Sequence, residues 1–234
     1  MPQTGRKDAV QILVVGSGKL ANELLGSLKG PHIASVLPWA QRQSDWNGCR
    51  IVVHAGSGRE IADVAAFCSL HNLVLVELST SGALEQLSPT FPVILCPNTN
   101  ILMLKFMAML KVQGHLFSEY EKSILESHQS DKKSEPGTAI SIAESLGVLR
   151  DEITSIRDPL VQKRLLGIPA EHLARHAYHK ISIADGNVSI VFEAKVLGEA
   201  PYAAGLAKIV EGIYWRDLES RKYDVLELVQ NGWI

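Results

Sequence analysis

The sequence has little of what marks a membrane, secreted or nucleic-acid-binding chain. No apolar run approaches the roughly 20 residues needed to cross a bilayer. The first segment, MPQTGRKDAVQILVVG, is polar and then apolar. It lacks the charged start, long apolar stretch and small-residue cleavage site of a signal peptide, so a cytoplasmic, soluble protein is expected. Cysteine is scarce: Cys49, Cys68 and Cys96 are odd in number, and no pair has CxxC spacing. That gives no disulfide framework and no zinc signature, and the three read as buried reduced thiols, with no metal expected. The formal net charge of -2 leaves no broad basic face, which argues against nucleic acid as a partner. Neither a G-x-S-x-G elbow nor a Walker sequence occurs, so a serine hydrolase and a P-loop NTPase are both disfavoured.

What is present is a globular mix, 46 % hydrophobic and 21 % charged over 234 residues, enough for one large domain or two small ones. QILVV (11–15) is an apolar run ended by Gly16, and KLANELLGSLKG then has apolar residues at helical spacing. HIASVL (32–37), RIVVHAG (50–56), LVLVEL (73–78) and PVILC (92–96) read as further strands. EIADVAAFCSLHN (60–72) is an amphipathic helix, and GALEQLS a short one. Strands alternating with helices predict a Rossmann-type, doubly wound parallel sheet over residues 1–98.

After Asn98 the character changes. ILMLKFMAMLKVQGHLF (101–117) predicts a long helix whose methionines are core. KSILESH (122–128) reads as a strand and AISIAESLGVL (139–149) as a helix. The stretch 150–180 stays ambiguous. HKISIADG and NVSIVFEAKVLG alternate and meet at Asp185-Gly186, a hairpin signal. PYAAGLAKIVEGIYW (201–215) predicts a helix and KYDVLELV (222–229) a short terminal element. The second domain, 99–205, is expected to be α+β with an open mixed sheet.

Two segments carry chemistry. In VVGSGKLANELL a G-x-G-x-x-A turn follows a strand and opens a helix. Gly16 permits a tight turn, Gly18 lets a pyrophosphate approach the backbone, and Ala21 lets the helix pack closely. Gly16, Ser17, Gly18, Lys19 and Leu20 are therefore the candidate phosphate-contacting residues, at a helix N-terminus that favours anions. LPWAQRQ, after the second strand, has no acidic residue to hold ribose hydroxyls. Arg42 stands where it can meet a 2′-phosphate, which leans towards NADPH over NADH, and it reads equally well as a solvated loop arginine. His54 and Ser57 follow the third strand, where such loops meet a cofactor; His54 reads as structural.

The second segment is ILESHQSDKKSEPGTAISIAESLG. A strand ends at Glu126-Ser127-His128, a polar loop carries Lys132 and Lys133, and Gly137-Thr138 opens a helix. A helix N-terminus and a lysine can hold a carboxylate, and His128 can exchange a proton beside it. An ordinary surface loop is the alternative.

The run E-S-H-Q-S-D-K-K-S-E-P-G-T-A resembles the E-x-H-H…K…D-A-P-S-G-T-A segment of dihydrodipicolinate reductases, with Glu126, His128, Lys132, Pro136, Gly137, Thr138 and Ala139 matching. LVELSTSG resembles that family's cofactor loop, with Ser79 and Thr80. VILCPNTNILMLKFM resembles its hinge, with Asn98. YAAGLAKI and KYDVLELV resemble its late segments. The resemblance spans nearly the whole chain and is weakest over 150–175. It implies an NADPH- or NADH-dependent reductase acting on dihydrodipicolinate in lysine and diaminopimelate biosynthesis. His128 and Lys132 would be catalytic, and Gln129, Gly137, Thr138 and His176 would bind substrate. Ser79, Thr80 and Asn98 would contact cofactor, residues 206–234 would return to the first domain, and a homotetramer or dimer would form.

Departures sit in the same segments. Gln129 replaces the family's second histidine, the turn before Gly137 is one residue shorter, Leu78-Ser79 replaces Gly-Thr, and Glu199 stands near an expected basic residue. These keep open another cyclic imine carrying at least one carboxylate, or a dinucleotide-binding scaffold without turnover. Arg157, Lys163, Arg164, His172, Arg175, His176 and His179 cluster in the ambiguous stretch and read as either substrate-facing or surface residues.

Overall fold

The computed structural model describes residues 9–43, 49–79, 84, 88–132, 135–198 and 201–234. It divides into two compact units, Met1–Leu104 with Ala200–Ile234, and Lys105–Glu199. The short helix expected over GALEQLS, together with Thr80 and Glu199, lies outside the described residues.

The first unit is a six-stranded parallel sheet. Its strands are β1 (Val10–Val15), β2 (Ile33–Pro38), β3 (Cys49–His54), β4 (Val74–Glu77), β5 (Val93–Leu95) and, from the far end of the chain, β10 (Lys222–Asp224). The order is β10-β5-β4-β3-β1-β2, every pairing parallel. Both faces of the central strands are buried, which explains near-continuous Val, Ile and Leu: Ile12, Leu13, Val52, Val53, Leu75 and Ile94 have no solvent exposure. α1 (Lys19–Ser27) carries the chain from β1 to β2, and α2 (Ile61–His71) carries it the other way, from β3 to β4. Right-handed crossovers in opposite directions put these helices on opposite faces. α2 stops at Asn72, whose φ of 49 is left-handed. The terminal KYDVLELV is a strand followed by a helix, α7 (Val225–Gln230), started by Asp224, whose side chain accepts the Leu226 N–H.

The second unit is a four-stranded mixed sheet of β6 (Glu121–His128), β7 (Thr154–Ile156), β8 (His176–Asp185) and β9 (Val188–Leu197), in the order β7-β6-β8-β9. β6 and β7 run parallel, joined through α4 (Gly137–Leu146); the other pairings are antiparallel. α4 begins and ends earlier than its apolar pattern predicts, because Gly147, with φ 67, caps it. α3 (Ile101–Gln113) gives way at Gly114 to a tighter turn. A side chain at Gly114 would fall 2.1 Å from the Ser145 carbonyl oxygen, so this turn is held against the end of α4. Met103 and Met107 are core, whereas Met109 is exposed. The ambiguous stretch resolves into β7, a short helix α5 (Pro159–Arg164) and the start of β8, which reaches back to His176. Gly186, with φ 55, makes the β8–β9 turn. Leu166, Ile168 and Tyr178 pack with Leu125, Ile156, Leu173 and Leu197 on one face of this sheet.

Candidate functional site

In the first unit the sheet's strand order reverses between β1 and β3, with β2 on one side of β1 and β3 on the other. In open parallel sheets the crevice outside the carboxyl ends of the strands at such a reversal receives ligands. The glycine turn sits there. Gly16 has φ +125, and a Cβ on it would lie 2.6 Å from the Ala55 carbonyl oxygen, so only glycine fits. Gly18 is different: a Cβ there would meet nothing within 4 Å. It is the N-cap of α1 and, like Ser17 and Lys19, it is exposed, with Leu20 half-buried. Conformation therefore dictates the first glycine, and open space in front of a helix N-terminus accompanies the second.

Arg42 follows a short turn after β2. Its guanidinium lies 4.2 Å from the centre of the Trp39 ring and it donates to the Trp39 carbonyl at 3.3 Å. Trp39 in turn meets Phe67 of α2 edge-on. At the end of β4 the Ser79 N–H donates to Glu77 at 2.7 Å. Asn98 is half-buried, and its side-chain oxygen accepts the Asn100 N–H at 2.8 Å.

The second unit builds a denser polar cluster from three adjacent strands. In a strand, alternate residues share a face, and directly paired residues across a ladder share it too. Glu126 pairs with His179 on one side and Ser155 on the other. His128 and Arg157 follow two residues later on their strands. One face thereby collects Glu126, His128, Ser155, Arg157 and His179.

Glu126 has no solvent exposure. One of its oxygens accepts from Arg157 Nη2 at 2.6 Å and from Ser155 Oγ at 2.5 Å. The other accepts from His128 Nδ1 at 2.6 Å and from Arg157 Nη1 at 3.2 Å. Burial alone would raise this carboxyl; the bonds from His128, Arg157 and Ser155 outweigh it and hold Glu126 down at about 2. An ionised Glu126 fixes the proton of His128 on Nδ1 and leaves Nε2 as the nitrogen that exchanges. Gln162, fully buried, donates to the His128 carbonyl at 2.7 Å and secures the backbone of the same residue. His179 meets His128 edge-on, ring centres 5.7 Å apart. It is 3 % exposed, and neither of its ring nitrogens has a hydrogen-bond partner among the described residues. Burial pushes it down to about 4, so it is neutral.

Lys132 is half-buried, and burial first, then the Arg157 charge, lowers its ammonium from the ordinary value, with Glu126 opposing. Gln129 offers its carbonyl to the Lys132 N–H at 3.1 Å. Gly137 and Thr138 form the first turn of α4. His176 goes elsewhere. Three residues from His179 on one strand, it faces the opposite side of the sheet, where Nε2 meets Ser127 Oγ at 3.1 Å and Nδ1 donates to the His172 carbonyl at 3.2 Å. Of the two β8 histidines, His179 is the one that shares a face with His128.

The roles of Glu126, Ser155, Gln162 and His179 were not read from the sequence. The spacing E-x-H was a signal for the first, because it puts both side chains on one strand face. Lys163 and Arg164 lie in α5, away from the strand positions that build the cluster. Among the described residues, no group of three or more His, Cys, Asp or Glu is arranged to hold a metal ion, and no helix is long and apolar enough to cross a membrane.

No protein-family model matches the chain. It is 28 % identical over 190 residues to the probable 4-hydroxy-tetrahydrodipicolinate reductase 1, chloroplastic, of Oryza sativa subsp. japonica, an alignment covering 73 % of this chain and 55 % of the relative. The chain thus spans about half the length of that plant protein. It is 25 % identical over 222 residues to the 4-hydroxy-tetrahydrodipicolinate reductase of Rickettsia canadensis, covering 81 % of this chain and 91 % of the relative. Among solved structures, the dipicolinate-bound dihydrodipicolinate reductase of Paenisporosarcina sp. TG-14 superposes with a TM-score of 0.64 at 12 % identity, covering 92 % of this chain and 97 % of that one. At that identity the match is one of fold.

Proposed function

We propose, starting from the chain's membership of the 4-hydroxy-tetrahydrodipicolinate reductase family, which its relatives support at modest identity, that it is an oxidoreductase reducing a cyclic imine carboxylate with a nicotinamide dinucleotide. The preferred substrate is the one that names the relatives, 4-hydroxy-tetrahydrodipicolinate, which would lose its hydroxyl as water and take up one hydride and one proton to give tetrahydrodipicolinate in lysine and diaminopimelate biosynthesis. The observation that carries this reading is the buried, ionised Glu126 bonded to His128, Arg157 and Ser155 on the strand that leads into Lys132 and the first turn of α4.

The first unit fits a dinucleotide. A tight glycine turn, open space at Gly18 and a helix N-terminus together suit a pyrophosphate. Gly16 to Leu20, Ser79 and Asn98 would line that site. When bound, the reduced nicotinamide supplies hydride. Arg42, stacked on Trp39, would meet a 2′-phosphate. Arg42→Ala is expected to weaken NADPH binding while sparing NADH in a fluorescence titration; equal losses on both would cancel the preference for NADPH.

In the second unit, Lys132 and the Gly137-Thr138 turn would hold a substrate carboxylate by a point charge and a helix dipole. Gln129 would flank it. His128, its Nδ1–H donating to Glu126, would present Nε2 to the substrate; a second proton taken up from solvent on Nε2 would be delivered to balance the hydride, leaving the neutral Nδ1–H imidazole. The bonds from His128 and Arg157 hold Glu126 as the carboxylate that accepts that Nδ1–H. His176 stands behind the sheet through Ser127, so any contribution to substrate binding would act through that strand. A homo-oligomer, tetramer or dimer, is part of this reading.

The test is loss of nicotinamide absorbance on mixing the protein and reduced dinucleotide with freshly synthesised 4-hydroxy-tetrahydrodipicolinate. Turnover supports the reading. Dinucleotide binding without oxidation, for this and every related cyclic imine tried, would make the protein a scaffold instead.

A further inference from the structure

A second buried histidine–carboxyl pair lies in the first unit, outside the glycine turn. His54 ends β3 and Glu77 ends β4, and the two are paired in register. His54 has no exposure and Glu77 has 5 %. His54 Nδ1–H donates to both carboxylate oxygens, at 2.8 and 2.9 Å. Their neighbours Val52, Val53, Leu75 and Val76 are all fully buried and apolar. Burying a polar pair in such a sheet costs desolvation that its hydrogen bonds rarely repay in full, so stability is a poor reason for it.

The pair connects to two loops at the carboxyl ends of the strands. On one side, Glu77 Oε1 also accepts the Ser79 N–H at 2.7 Å, and the Leu78 N–H donates to the His54 carbonyl at 2.9 Å. On the other side, His54 Nε2 points at Gly56. A Cβ at Gly56 would sit 2.9 Å from that nitrogen and 3.3 Å from Glu60 Oε2, and both of these buried atoms lack a hydrogen-bond partner among the described residues. Gly56 follows Ala55, whose carbonyl oxygen is the atom that would meet a Cβ on Gly16. The carboxylate thus holds the backbone after β4, and the imidazole it anchors lies close against Gly56, in the backbone after β3 that meets the glycine turn.

We propose that His54 and Glu77 are positioning residues for the dinucleotide: they set the first residues after β3, Ala55 and Gly56, and after β4, Leu78 and Ser79, where those residues would receive it. This rests on the reading of the first unit as a nicotinamide dinucleotide site. Neither side chain needs to touch the cofactor. The Ser79 amide, oriented by Glu77, transmits the effect.

The test separates positioning from stability. The double variant His54→Leu with Glu77→Leu removes both polar groups and fills the space with apolar side chains. Its melting temperature is expected at or above that of the wild type, because a buried pair replaced by apolar side chains is often neutral or stabilising. Its dissociation constant for NADPH is expected to rise about tenfold, the scale of one ordered hydrogen bond. The dinucleotide KM should rise in parallel, with kcat at saturation little changed. If the double variant does not fold, the milder pair His54→Phe with Glu77→Met, which keeps more of the native volume and still deletes the acceptor of the Ser79 amide, takes its place with the same expected loss of affinity. Wild-type affinity in whichever double variant folds overturns the inference alone. A wild-type protein that binds no nicotinamide dinucleotide overturns the reading beneath it.

Discussion

Glu126 and His179 face each other across a strand pair with opposite electrostatic situations. The carboxylate is fully bonded and ionised, while the imidazole has no hydrogen-bond partner among the described residues and is neutral. Both pull stability in one direction with pH. His179 has its folded value depressed from 6.5 to about 4, so the unfolded chain takes up its proton first as pH falls. Stability is therefore full above pH 6.5 and declines from there to about pH 4, by on the order of 3 kcal/mol for this group. Glu126, depressed from 4.5 to about 2, adds a second decline between those values. Chemical denaturation at a series of pH values should show the first decline flattened in His179→Leu. That variant should also be more stable at neutral pH, since it removes a buried polar ring without partners. A pH profile identical to the wild type would contradict the burial argument. The sequence shows both residues, but not that they meet. His176 and His179 look alike in HLARHAYH, and only a strand that starts at His176 puts them on opposite faces. The strand signal begins at His179, so the choice between them was not legible.

At the scale of elements, the glycine turn shows how two similar residues do different work. Gly16→Ala forces a side chain into the Ala55 carbonyl at a positive φ and should lower the melting temperature by several degrees or more. Gly18→Val has room and should fold normally, but it should lose dinucleotide binding, because the valine occupies the space in front of α1. Thermal melts and cofactor titrations on both variants check this. A Gly18→Val protein that binds with wild-type affinity would remove the phosphate role from the turn. The strand–turn–helix pattern of the first hundred residues was readable because its strands are short, nearly continuous apolar runs separated by glycine, proline and polar stretches. β7 and α5 were not: they have 3 and 6 residues, too short for a period to emerge. Ser155 and Arg157 reach Glu126 only because β7 pairs in parallel with β6 after a crossover through α4, a register that no local spacing encodes.

For the molecule as a whole, the second unit's sheet ends on β9, a ten-residue edge strand that leaves Val188, Ile190 and Val191 exposed at 68 %, 47 % and 49 %. Long apolar edges are normally covered. The proposed homo-oligomer would do so, and light scattering at micromolar concentration should return a dimer or tetramer, with Ile190→Lys shifting it towards the monomer. A monomeric wild type would contradict that assembly. The two-unit architecture also separates the two kinds of failure a variant can show: residues of the first unit should govern dinucleotide affinity, and those of the second the chemical step. The measurement that bears most directly on this is a paired one on Lys132→Ala and His128→Gln. Each is titrated with dinucleotide and then assayed for oxidation of that dinucleotide by 4-hydroxy-tetrahydrodipicolinate. Dinucleotide affinity should equal the wild type in both. In Lys132→Ala, kcat/KM should fall by about 100-fold or more, the scale of losing a charged donor to the substrate, and in His128→Gln kcat should fall and lose its pH dependence. Wild-type turnover in both variants would mean that the loop after β6 is only a surface connection, and the proposed reductase site would be wrong.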